Sequence, residues 1–247
     1  MKVLVMVLMV MLDLVRTDLI NSNVFMKVVP SMPSHISQCL LEKRSFNLIS
    51  IRACSVLCSL QTNCLLFCLK GGTCIMYSAQ VSSKWPGFSL DPKEITESFD
   101  ECYSNWFVNS ITPSIVAENI SASKSYNIYT HPENMINGFY CQRHYFFCFS
   151  TSRVNSNRFW RADLGKPKRV SSIIITTRRI YEQFSEVEIT LGNSSDYNNI
   201  RFDYYEGPSP VATDISFTPT NSVTGRYLHI QSFKNNHFSI CDIVILG

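Results

Sequence analysis

Ten cysteines, seven of them crowded between Cys39 and Cys102, constrain this 247-residue chain more than any other feature. Cysteine usage of that density means disulfides in an oxidising compartment or metal ligation in a reducing one. The N-terminus reads MKVLVMVLMVML: one lysine, then an apolar run from Val3 to Leu12 that Asp13 stops. A run of about ten residues falls short of the roughly 20 needed to span a bilayer, but it matches the apolar core of a signal peptide. Residues 1–20 are therefore read as a leader, with cleavage between Leu14 and Val24. A buried N-terminal strand and a signal anchor are the alternatives. The leader predicts a secreted, extracellular, disulfide-bonded protein and opens two Asn-x-Ser sequons, at Asn119 and Asn193, to glycosylation.

The cysteine spacing C-x3-C-x5-C-x3-C-x5-C, from Cys54 to Cys74, also admits a zinc reading. Pairs two to four residues apart suit zinc, so Cys54 and Cys58 with Cys64 and Cys68 would serve in a cytosolic chain. Charge excludes one broad class of partner. Split near Thr112, the chain has 9 basic against 8 acidic residues, then 13 against 11. Neither half carries the excess that a phosphate backbone requires, so nucleic acid is not an expected partner.

The texture changes near residue 110, in VNSITPSIVAEN, and only Cys141, Cys148 and Cys241 lie beyond it. Before the change, NLISIRACSVLCSLQTNC predicts a helix capped by Asn47 or Ser50, with Cys54 and Cys58 one turn apart on one side. LLFCLKGGTCIMYSAQV predicts two short strands turning at Gly71-Gly72. The helix SIRACSVLC, the stretch NCLLF, the hairpin GGTCIMYS and the flanking Cys39 and Cys102 together resemble the PAN/apple domain family. The resemblance covers residues 28–108 and implies a small disulfide-rich α+β module. It further implies the pairs Cys39–Cys102, Cys54–Cys74 and Cys58–Cys64, with no place for Cys68. Sequence alone permits many other pairings.

The second half lacks helical periodicity. FWRADLG, RVSSIIITT, EVEITLG, DISFTPT, GRYLHIQSF and FSICDIVILG alternate or run β-branched between Gly, Pro, Asn and Ser turns. That pattern predicts an all-β sandwich with Trp160 in its core. The ordered segments WRADLGKPKRVSSIIITTR, VEITLGNSS, GRYLHIQ and SICDIVILG, with Ser121, Ala122 and Ser123 at the opening, resemble the galactose-binding jelly roll over residues 114–247. That superfamily includes the F-type (fucose-binding) lectins and the discoidin or coagulation-factor type C domains. Gly192-Asn193-Ser194 draws the likeness toward the F-type lectins. The expected architecture is thus mainly β: a C-terminal jelly-roll sandwich preceded by a small α+β PAN/apple-like domain.

Membership of the lectin branch implies fucose bound at one end of the barrel. There a loop histidine and two arginines hydrogen-bond the sugar and a vicinal disulfide packs on its apolar face. The first arginine falls on Arg178, with Arg179 next to it. The loop that follows reads RIYEQF, without vicinal cysteines, and Gln183 is the nearest polar substitute for the second arginine. Phe149, Ser150 and Thr151 stand where the histidine belongs, and His144 precedes the cysteine instead. Arg178, Arg179, Gln183 and His144 are therefore the candidate ligand residues. The alternative for the arginines is a pair of solvated strand-end charges facing Glu182 or Glu186. The resemblance also implies a structural calcium, at Asn134, Asn137 and Asp242, where an Asn-Gly turn is the other reading. It pairs Cys148 with Cys241 and leaves Cys68 and Cys141 to bridge the domains, stay free or link to another chain. HYFFCFS, residues 144–150, sets four aromatics beside Cys148 and reads as a core-filling strand, with an exposed ring near the sugar-side loops as the other possibility.

These readings predict a non-catalytic recognition protein that binds glycans or glycoproteins, with the PAN-like domain as a second interaction module. The alternative is an adhesion or structural protein that binds other extracellular proteins and whose sugar site has decayed. Membrane contact is expected only through surface ligands. For an enzyme, the five histidines form no H-E-x-x-H, and neither G-x-S-x-G nor a phosphate loop is present. Glu186 and Glu188 share one strand face, which is the ordinary arrangement of a wetted surface.

Overall fold

The structure, a computed structural model, describes residues 25–45, 50–81, 96–105, 115–127, 129–141, 147–153, 157–180, 183–196 and 198–247. The leader at 1–20, the boundary near residue 110, Asn47, His144 and Glu182 lie outside the described residues. No helix among the described residues is long and apolar enough to cross a membrane.

The first half contributes strands β1 (Phe25–Val28), β2 (Ser31–Pro33) and β3 (Leu40–Ser45), helix α1 (Ile51–Leu60), and strands β4 (Leu66–Lys70), β5 (Thr73–Tyr77), β6 (Ala79–Val81), β7 (Thr96–Ser98) and β8 (Glu101–Asn105). Ser50 caps α1, its side-chain oxygen accepting from the Ala53 amide at 3.2 Å. Gly71 and Gly72 both adopt positive φ, which closes the two-residue hairpin between β4 and β5. Five strands make an antiparallel sheet in the order β1-β8-β4-β5-β3. Alternation sends Phe67 and Met76 to the α1 side, where they pack with Cys54, Cys58, Cys64 and Cys74. Cys54–Cys74 ties α1 to β5, and Cys58–Cys64 closes the turn after the helix.

The other face of this sheet carries Leu66, Cys68, Ile75 and Tyr77, and it is covered in part by the second half. Phe139, Cys141 and Phe147 enter the same buried cluster as Met32, Ile36 and Cys39. Strand β10 (Phe139–Cys141), which follows β9 (Asn119–Ala122), pairs antiparallel with β6 and sets Cys141 opposite Ala79. Ser78, next to Ala79, donates its amide to the Cys39 carbonyl at 2.8 Å, so Cys39 lies beside Cys141 and bonds to it. Cys68 faces Cys102 directly across the β4–β8 ladder, with Cα atoms 4.1 Å apart, and this pair is also bonded. The Cys39–Cys102 bridge implied by the PAN/apple resemblance is therefore corrected to Cys39–Cys141 and Cys68–Cys102. Cross-strand register places Cys102 on Cys68, and the β6–β10 ladder brings Cys141 to Cys39. Among the described residues no cysteine is free, which leaves Cys54, Cys58, Cys64 and Cys68 no thiolates for zinc.

The second half continues with β11 (Phe149–Ser150), β12 (Arg158–Val170), β13 (Ser172–Thr177), β14 (Val187–Gly192), β15 (Ile200–Tyr205), β16 (Asp214–Phe217), β17 (Val223–Ser232) and β18 (Ser239–Leu246). They form a four-stranded sheet, β11-β18-β13-β16, facing a five-stranded sheet, β15-β14-β17-β12-β9. Ile173, Ile175, Phe217, Ile240 and Phe149 from the first sheet pack on Trp160, Ala162, Ile189, Leu228 and Ile230 from the second. Trp160 is fully buried and its indole N–H donates to the Pro132 carbonyl at 3.0 Å. β12 bulges between Asp163 and Lys168, and Arg226 clamps Asp163 there with two bonds of 2.8 and 2.9 Å. That guanidinium holds the Asp163 carboxyl below the usual carboxylate range. Cys148, just before β11, and Cys241, the residue after Ile240 on β18, are bonded next to the Phe149–Ile240 pair. Phe147 and Phe149 flank Cys148 and are both buried, one in each core. β15 is among the strands that were not anticipated: IRFDYY alternates apolar and polar, but only Phe202 on its apolar face is buried while Ile200 and Tyr204 are exposed.

Non-reducing peptide mapping is expected to recover Cys39–Cys141 and Cys68–Cys102 peptides, and a Cys39–Cys102 peptide would refute this arrangement. Paired Cys39→Ser and Cys141→Ser substitution opens a loop of 102 residues. It is expected to lower the unfolding free energy by about 2–4 kcal/mol, measured by chemical denaturation.

Candidate functional site

One end of the sandwich is built from the turns that follow β11 and β13 and the turn that precedes β18. Thr177 sits opposite Ile240, so the chain leaving β13 and the chain entering β18 emerge side by side. Several bonds hold these turns. Thr151 receives the Phe238 amide on its hydroxyl and donates its own amide to the Phe238 carbonyl, at 3.0 and 2.9 Å. The Ser239 amide donates to the Gln183 carbonyl at 3.0 Å, and the Ala212 amide to the Arg178 carbonyl at 3.2 Å.

Between these turns lies a cleft of about 300 Å³, lined by Tyr126, Ser150, Arg153, Arg178, Gln183 and His237. Arg178 Nη1 donates to Gln183 Oε1 at 3.2 Å, so two of the sequence-derived candidates meet in it. Arg179 is exposed and is not part of the lining. Four lining residues were not anticipated. His237 Nδ1 lies 2.6 Å from the Thr151 carbonyl, so Nδ1 carries the proton and Nε2 is the ring edge left for a ligand. Its ring meets Tyr126 edge-on at 5.0 Å. Ser150 hydrogen-bonds Ser239 across the β11–β18 pair, and Arg153 is exposed on the turn after β11. The lectin resemblance implies a histidine just after Cys148, and His237 reaches that very segment from a turn some 90 residues later in the chain. The available signal was its place immediately before the last strand, which any antiparallel pairing of that strand with IIITT would bring beside Arg178.

The remaining candidates lie elsewhere. Asn134 is buried and donates from Nδ2 to the Tyr129 carbonyl at 2.9 Å. The Asn137 side-chain oxygen accepts the Phe139 amide at 2.8 Å, which makes the Asn-Gly turn self-contained. Asp242 is buried on β18, against which the short helix bearing Asn134 packs. Calcium takes six to eight oxygens, normally with more than one carboxylate. These side chains offer one carboxylate and two amides that are already hydrogen-bonded, so they do not fit a calcium cage on their own. Among the described residues no three His, Cys, Asp or Glu side chains are grouped to hold a metal. Asn119 and Asn193 are both exposed. Glu188 pairs with Arg201 at 2.6 Å and Glu186 lies 3.9 Å from Lys234, so neither carboxylate faces the arginine pair.

Residues 119–245, just over half of the chain, match the F5/8 type C domain. The chain belongs to that family. The F5/8 type C region coincides with the two packed sheets and contains every residue that lines the cleft. Among solved structures, it is similar to a fucolectin from striped bass (Morone saxatilis) serum at 28% identity and a TM-score of 0.48, over 52% of this chain. The match spans 46% of that fucolectin's length. A Streptococcus pneumoniae fucose-binding module, SpX-3, matches at 14% identity and a TM-score of 0.47, over 55% of this chain and 98% of its own. The lectin-binding domain of lectinolysin in complex with Lewis b matches at 18% identity and a TM-score of 0.48, over 55% and 96%. No curated protein matches the chain.

Away from the cleft, His229 is buried on β17 among Arg161 of β12, Thr190 of β14 and the 194–196 turn. Burial, then the Arg161 charge, push its pKa down to about 4 against the opposing pull of the Ser194 carbonyl and Asp196. The folded protein thus binds this proton less well than the unfolded chain. The His229 contribution is complete above pH 6.5 and is lost as pH falls toward 4, a cost of about 3 kcal/mol. Thermal unfolding is expected to show that decline, and His229→Gln is expected to flatten it.

Proposed function

We propose that this is a secreted, non-catalytic recognition protein that binds glycans in the cleft of its F5/8 type C domain. The observation that carries this reading is the convergence of Arg153, Arg178, Gln183, His237 and Tyr126 on one cleft at the loop end of the sandwich. Planar guanidinium forks grip neighbouring sugar hydroxyls, and an aromatic face takes the apolar C–H face of the ring. Arg178 and Gln183 are the two residues that the lectin resemblance and the cleft have in common. The first half, with its helix, hairpin and paired cysteines, acts in this reading as a PAN/apple-like module that contacts a second extracellular partner. The leader carries the protein out of the cell, and Asn119 and Asn193 take N-glycans. Structural calcium near Asn134 and Asp242 enters as a weak site completed by backbone carbonyls.

A glycan array probed with the full secreted protein, with calcium and with chelator, tests the reading. Binding is expected, and Arg178→Ala is expected to weaken it about tenfold or more, the cost of a charge-assisted hydrogen bond. Absence of binding to every glycan, or unchanged binding by the variant, would turn the assignment toward an adhesion protein that contacts other proteins.

A further inference from the structure

The balance of hydrogen-bond donors and acceptors in the cleft indicates the charge of its ligand. This inference rests on the glycan-binding reading and narrows it. A neutral sugar presents hydroxyls, each both donor and acceptor, and a site built for one offers both kinds of partner. This lining is strongly biased toward donors. Arg153 and Arg178 are brought together from two different turns, and neither can accept a hydrogen bond. The acceptors present are largely committed: Gln183 Oε1 accepts from Arg178, and the Ser150 hydroxyl is engaged with Ser239. The acceptors left are Nε2 of His237, whose Nδ1 donates to Thr151, and the Tyr126 hydroxyl, few against the N–H donors of two guanidinium forks. Among the described lining residues there is no carboxylate. The nearby Glu186 is turned to Lys234, and Asp214 accepts from the Thr176 hydroxyl at 2.6 Å.

We propose that the cleft selects an anionic glycan, one bearing a carboxylate or a sulfate on the terminal sugar. Two guanidinium groups line one cleft, and an anion placed between them supplies lone pairs and opposite charge to both forks. Arg178 makes contacts beyond Gln183, and the ligand oxygen joins or displaces those. Arg153 supplies the charge that distinguishes the anion from its neutral counterpart, since it stands on the open side of the cleft. Tyr126, 58% exposed, borders the entrance and packs against the sugar ring that carries the charge.

The test uses matched ligands with the full secreted protein: lactose, its sialylated form and its 3′-sulfated form, and galactose against galacturonic acid. Affinities are read by titration NMR at low and high sodium chloride. The anionic member of a pair is expected to bind at least about tenfold more tightly, and the difference is expected to shrink with salt. A preference for sialyl and uronic sugars assigns the carboxylate as the recognised group, and a preference for the 3′-sulfate assigns the sulfate. Arg153→Gln is expected to abolish the preference while leaving residual binding. Lys166→Gln, which removes the same charge from an exposed position on the β12 bulge, is expected to leave it intact. Equal or tighter binding of the neutral member, or loss of the preference in both variants alike, overturns the anionic assignment while glycan binding stands. Absence of binding to any of these sugars and to the array overturns both.

Discussion

A three-residue ladder between β6 and β10 holds the two halves of this protein in one structure. The sheet of the first half has two faces, and α1 covers only one of them. The other exposes Leu66, Ile75 and Tyr77, an apolar surface too large to leave wet in a unit of this size. Phe139 and Phe147 from the second half cover it, and Cys39–Cys141 locks them there. The F5/8 type C region therefore carries the cleft and also completes its neighbour's core. Phe147-Cys148-Phe149 shows the economy of this arrangement, since the chain bends at Cys148 and the phenylalanines on either side of it feed two cores while the cysteine between them is bonded to β18.

Much of this was legible in the sequence wherever the signal was local. The Ser50 cap, the Gly71-Gly72 turn, the burial of Trp160 and the alternating strands all follow from near-neighbour chemistry. Distant cysteine pairing was not, because it depends on strand register. Nothing local assigns Cys102 to Cys68 rather than to Cys39 until the β4–β8 ladder puts it across from Cys68. Cys141 has no visible partner until a strand of the second half crosses to β6. β15 lies at the edge of its sheet, and of the apolar residues alternating along it only Phe202 is buried, so its pairing to β14 is a tertiary fact.

The cleft shows the same division between local and distant information. Arg178 was legible because it ends a strand whose sequence resembles a known one. Arg153 and His237 were not, because the motif searched for expects each role at a fixed position in the chain. Here the histidine arrives from the turn before β18 and docks on the carbonyl of Thr151. A site made from the ends of antiparallel strands needs its chemistry in the right place in space, and several turns can deliver it.

The path from the cleft back to the first half is short. Ser150 lines the cleft, Cys148 lies two residues before it and is bonded to β18, and Phe147 is seated in the first half's core. A pull applied at the N-terminal half and resisted at the cleft is therefore borne by buried side chains and by the Cys39–Cys141 bond, in parallel with the main chain between the halves. Such a tether bears load through a covalent shortcut, so stretching the main chain between the halves need not unseat the turns that line the cleft.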